Sequence, residues 1–99
     1  FNMRIEIAKI ESEKDYELFC SSEWPMVKVD DSVYDEVVSQ LNFSKKYLDR
    51  DPLESIFLVP IFGNRNPEEV AVDTVFDFYI EPQKVVVGGK PYAAWIQSY

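Results

Sequence analysis

The chain has 99 residues, 46% apolar and 15% aromatic, which is enough for one domain with a single modest core and too aromatic for a disordered chain. Its net charge of -8 is spread along the length and repels phosphate backbones and anionic lipid, so direct nucleic-acid binding and membrane binding are not expected, while a basic protein partner would be attracted. There is no His and only one Cys, Cys20, which removes the Ser-His-Asp and Cys-His constellations, a thiolate metal site and any intrachain disulfide.

Phe1-Asn2 ahead of Met3 read as a cloning remnant. Residues 1–99 form one domain, and the absence of an apolar run long enough to span a bilayer, with no signal peptide before Met3, points to the cytoplasm. Met3 to Ile10 alternates as a strand with Met3, Ile5 and Ile7 on one side and Arg4 and Glu6 on a wet one. For residues 12–20 a second strand, with Tyr16, Leu18 and Cys20 on one face, competes with a short helix opened by the capping-box pair Ser12 and Asp15; the strand is preferred. After Trp24-Pro25, Met26 to Val29 can form a short extended piece.

The main helix is expected at about 32–42, with Ser32 as its cap, acids in its first turn and a stripe of Val33, Tyr34, Val37, Val38 and Leu41. Ser44 to Arg50 can add a further helical turn. Ser55 to Phe62 reads as a buried strand in which Pro60 demands an edge or a bulge.

Val70 to Ile80 is the longest apolar run. Asn66-Pro67-Glu68-Glu69 is a good helix start, yet Val, Ile, Thr, Phe and Tyr dominate residues 70–80, so a strand is the preferred reading. Lys84 to Val87 and the segment from Lys90 then make a hairpin about Gly88-Gly89, pairing Val87 with Lys90, Val86 with Pro91 and Val85 with Tyr92. Pro91 falls at a non-hydrogen-bonded position toward its hairpin partner, which makes the last strand an edge there. The fold class is therefore α+β: an antiparallel sheet of about six strands, the last four a meander, with one main helix packed on one face.

No stretch carries a catalytic, phosphate-loop or calcium-loop pattern, so no catalytic residue, metal ligand or cofactor is assigned, and the balance falls against an enzyme. Two sets of residues remain. Tyr92, Trp95, Ile96 and Tyr99 give the last strand an aromatic edge with few charges, suited to self-association, a dimer being favoured. Asp73, Asp77 and Tyr79 share the mixed face of the 70–80 run and are the candidate ligand-binding set; on a strand the two aspartates stand about 13 Å apart, too far for a coupled pair. The expectation is a non-enzymatic acidic interaction module that self-associates and takes a basic protein partner. The alternative is a small-molecule-binding protein or enzyme with a pocket between sheet and helix.

Overall fold

A computed structural model describes residues 4–21, 27–42, 54–74 and 82–98. Within them the chain is α+β. Strand β1 (Arg4–Ala8) leads to helix α1 (Glu13–Ser21), then to β2 (Val27–Val29), a single 3-10 turn (Asp31–Val33) and helix α2 (Tyr34–Val38). Strand β3 (Glu54–Pro60), helix α3 (Pro67–Thr74), β4 (Gln83–Val87) and β5 (Lys90–Ser98) complete it.

The described strands form one five-stranded sheet in the order β2-β1-β3-β5-β4. It is mixed rather than wholly antiparallel: β1 and β3 run parallel, Arg4 beside Ser55 through Ile7 beside Leu58, because the chain crosses between them through α1, β2 and α2. No four-stranded meander forms among the described residues, since β3 pairs directly with β5.

Two segments expected as strands are helices. In α1 the Ser12 hydroxyl accepts from the Asp15 N–H, a donor that the first turn leaves free, and the Asp15 carboxylate reaches back to accept from the Glu11 N–H just ahead of the helix. Helical spacing buries Tyr16 and Phe19 together and turns Leu18 outward, where a strand would have placed Leu18 beside Tyr16. In α3 the Asn66 side chain accepts from the Glu69 N–H at 2.9 Å and Pro67 takes the first position. These local signals and the burial of Val70 and Ala71 on one side outweigh the β-branched composition. Residues 75–81 lie outside the described set.

The sheet is covered on both faces. Phe57, Val59, Ala93 and Trp95 meet Tyr16, Phe19, Val70 and Ala71 of α1 and α3, while Ile5, Ile7, Ile56, Leu58, Val85, Ala94 and Ile96 meet α2 through Val37. Glu6 therefore does not stand on a wet face. It is 7% exposed on the α1–α3 side and its carboxylate accepts from the Ser55 hydroxyl at 2.8 Å. The expected stripe on α2 is present, with Val37 buried, Val33, Tyr34, Val38 and Leu41 half-buried and Asp35, Glu36, Ser39 and Gln40 exposed. The helix is shorter than the expected 32–42: the 3-10 turn Asp31–Val33, capped by Asp30, which accepts from the Ser32 N–H, leads into α2 at Tyr34–Val38, whose own cap position, Val33, offers no side-chain bond.

The hairpin has the expected register, and both glycines adopt positive φ, +57° and +78°, as a tight two-residue loop requires. The strand it delivers is not an edge. β5 lies between β3 and β4, with Phe57 opposite Trp95 and Ile56 opposite Ile96, so bulky residues match across both faces. At Pro91 the neighbour is Ile61, whose N–H donates to the Pro91 carbonyl at 3.1 Å; the ladder stops where the proline has no donor to return. Pro60 likewise sits on a central strand, one residue past Val59 and beyond the last β1 partner, Leu58.

Candidate functional site

Among the described residues, two regions of the surface combine concavity with charge. The first is the outer side of α1 and α3. The two helices lie against each other on one face of the sheet and are tied by the Tyr16 hydroxyl, which donates to Asp73 Oδ2 at 3.0 Å. Arg65, just ahead of α3, stacks its guanidinium 4.5 Å above the Tyr16 ring, pairs with Glu13 at 2.5 Å and donates to the Phe62 carbonyl. Phe62 meets the same ring edge-on, 6.1 Å between centroids.

This clasp sets the titration of its members. Burial, then the hydrogen bond to Asp73, pushes the Tyr16 phenol well above its ordinary value. Burial, then the negative charge of Asp73, pushes the Cys20 thiol up, so Cys20 is a half-buried and poorly nucleophilic group. A high thiol pKa and a neutral phenol are the opposite of an activated nucleophile and base.

Beyond the clasp, α1 carries Glu13, Asp15 and Glu17 against Lys14, and α3 carries Glu68, Glu69 and Asp73 with no base. The helices thus hold five of the eight net negative charges of the chain. Two large apolar side chains stand out of this acidic surface, Leu18 at 53% and Val72 at 67% exposure. A groove of about 300 Å³ runs beside Val72, walled by Asn66, Glu68, Glu69 and Asp73.

The second region is a cleft of about 500 Å³ at the carboxyl ends of β1 and β3, lined among others by Lys9, Lys28, Lys90 and Tyr92. No spacing in the sequence links these residues, since they come from two strands and a loop. Among the described residues, no three His, Cys, Asp or Glu side chains gather as a metal site, and no helix is long and apolar enough to cross a membrane.

Of the expected ligand-binding set, Asp73 lies on a helix, exposed at the groove and bonded to Tyr16; Asp77 and Tyr79 lie outside the described residues. Of the expected interface set, Trp95 and Ile96 are fully buried, Tyr92 is half-buried at the cleft, and Tyr99 lies outside the described residues. The described aromatic residues of β5 are therefore core or cleft rather than a flat exposed edge, because strands flank β5 on both sides.

The described residues thus define an α+β fold on a five-stranded mixed sheet, with an acidic helical face and a lysine-lined cleft at the strand ends. No protein-family model matches the chain, and no curated protein and no solved structure matches it significantly.

Proposed function

We propose that this domain is a non-enzymatic interaction module whose α1–α3 face receives a basic segment of a protein partner. The observation that carries the reading is Val72, two-thirds exposed beside a groove walled by Glu68, Glu69 and Asp73. An isolated exposed valine needs no explanation, and an acidic helix is usually a solvated one; an exposed valine inside an acid-walled groove fits an occupant that is both apolar and cationic. A lysine- or arginine-rich amphipathic helix has that composition, its apolar stripe resting on Val72 and its charges meeting the glutamates. A reducing, cytoplasmic setting goes with the reading, since the lone thiol Cys20 has no partner cysteine in the chain.

Calorimetric titration of the domain with a designed Leu/Lys amphipathic peptide tests it. Saturable binding is expected that weakens steeply as salt is raised from about 50 to about 500 mM, where screening shortens to a few ångströms. Replacing Glu68→Lys and Glu69→Lys together should abolish it, and Val72→Ser should weaken it at every salt concentration. Binding that ignores salt, or that survives the double replacement, removes the reading.

A further inference from the structure

The cleft at the strand ends is a second feature: lysines outnumber acids in it, and Asp15 at the start of α1 borders both it and the acidic face. β1 and β3 are adjacent and parallel, so their carboxyl ends lie side by side. From those ends the chain departs in opposite directions along the sheet, β1 toward β2 on one flank and β3 toward β4 and β5 on the other. Neighbouring parallel strands whose connections diverge leave a crevice between them, and in open sheets that crevice is where ligands are taken.

The ladder shows the divergence. Ile7 opposite Leu58 is the last β1–β3 pair; Ala8 still pairs with Val27 of β2, while Val59 and Pro60 continue with Ala93 and Tyr92 of β5. The Ala8 carbonyl then accepts from the Ile10 N–H in a tight turn that carries Lys9 out of the sheet. Pro60, facing the gap from the β3 side, has no N–H to close it.

Strand alternation decides what faces the cleft. Ile7 and its partner Lys28 share one face of the sheet, and Pro60, its partner Tyr92 and Lys90 two residues earlier share the same face. Lys28 and Lys90 therefore stand on the two flanks of an apolar wall of Ile7, Pro60 and Tyr92, with Lys9 at the divide. Three of the ten basic residues of a chain with net charge -8 line this one cleft. Of the two acids that also line it, Asp15 has its carboxylate engaged by the Glu11 N–H as part of the α1 cap.

We propose that this cleft is a binding site for a small phosphate-bearing molecule. About 500 Å³ is in the range that holds a metabolite, and the wall of Tyr92 and Pro60 offers an apolar surface to its uncharged part. The cations are all lysines. An ammonium binds phosphate as a point charge from any direction, whereas planar carboxylate recognition favours the arginine fork, so a cleft whose cations are all lysines favours phosphate over carboxylate.

Amide chemical-shift titration of the full chain with adenosine monophosphate, inorganic phosphate and citrate tests the site. Adenosine monophosphate should give saturable shifts centred on Lys9, Lys28, Lys90 and Tyr92, inorganic phosphate weaker shifts at the same residues, and citrate little. The triple variant Lys9→Gln, Lys28→Gln, Lys90→Gln, at exposed positions, should keep its thermal transition and lose affinity by about tenfold or more, about 1.4 kcal/mol. Lys14→Gln, on the outer stripe of α1, should change nothing. No saturable shift at millimolar phosphate or nucleotide, shifts that persist in the triple variant, or citrate binding as tightly as the nucleotide would each overturn the assignment.

Discussion

The side-chain amide of Gln40 makes to Val86 both hydrogen bonds that a neighbouring strand would make: its Nε2 donates to the Val86 carbonyl at 2.8 Å, and its Oε1 accepts from the Val86 N–H at 2.7 Å. The hairpin register is the reason these backbone groups are available. Because Val86 faces Pro91 at a non-hydrogen-bonded pair, its N–H and carbonyl point away from β5 toward the open side of β4. Glu36 accepts from the Gly88 N–H one pair further on, and Gln83 accepts from the Asn42 N–H, so the end of α2 and the residues after it guard this edge of the sheet.

Opening that guard should turn a protected edge into an adhesive one. Gln40→Ala is expected to cost about 1–2 kcal/mol, two net hydrogen bonds at an exposed site, read from urea unfolding. It should also introduce concentration-dependent self-association in sedimentation velocity, because Val86 is itself exposed and its backbone pair would seek another strand. A variant that unfolds at the wild-type midpoint and sediments unchanged would show that water replaces Gln40 without loss.

Asn66 carries the start of α3. Its side chain accepts from the Glu69 N–H, and the Glu69 carboxylate reaches back to the Asn66 N–H at 3.4 Å, the longer half of a reciprocal cap. Asn66→Ala should destabilise by about 1 kcal/mol, lowering the thermal midpoint by roughly 4–8 °C in a chain this small, while Asn66→Asp should leave it nearly unchanged. An alanine variant melting with the wild type would mean that packing of Val70 and Ala71 alone holds the helix.

The residues legible in the sequence are those whose signal is local. Gly88-Gly89 sets the hairpin register because two consecutive residues there must adopt positive φ, and the stripe from Val33 to Leu41 has one period only. Where a short segment satisfies two periods, composition misleads: Tyr16, Leu18 and Cys20 alternate like a strand, but the Ser12–Asp15 box states the helix more directly. The parallel pairing of β1 with β3 cannot be read, since it joins residues some fifty positions apart and no alternation specifies which strand lies next to which. The same distance hides the sites. Asp73 is legible as a candidate, but not its bond from Tyr16, and Lys9, Lys28 and Lys90 come to line one cleft only through the order of the strands.

Glu6 and Ser55 form a buried polar pair between parallel strands, Glu6 at 7% and Ser55 at 0% exposure. Removing one member should be worse than removing both. Ser55→Ala takes away the hydrogen bond to Glu6 and is expected to cost about 1–3 kcal/mol, whereas adding Glu6→Leu to it should restore part of that loss, because an apolar pair needs no partner at this depth. Chemical unfolding of the two single variants and the double variant gives the coupling. Strictly additive losses would mean that the two side chains do not depend on each other.

The clasp between α1 and α3 should give the protein an alkaline limit of defined origin. The Tyr16 phenol is held above its ordinary 10.0, first by burial and then by its bond to Asp73, and the Cys20 thiol above its ordinary 9.0, by burial and by the charge of Asp73. Each group keeps its proton in the folded chain at a pH where the unfolded chain releases it. Their contribution to stability is therefore complete below about pH 9 and is lost as pH rises, first through Cys20 and then, above about 10, through Tyr16. Tyr16→Phe should flatten the part of the decline above 10 in unfolding measured as a function of pH, and should remove one late-ionising phenol from the alkaline ultraviolet titration. Asp73→Asn removes the charge that both groups feel, so the pH midpoint for iodoacetamide alkylation of Cys20 should move down toward 9.0. An alkylation midpoint that stays in place would mean that burial alone governs the thiol, and that Asp73 acts on Tyr16 without reaching Cys20.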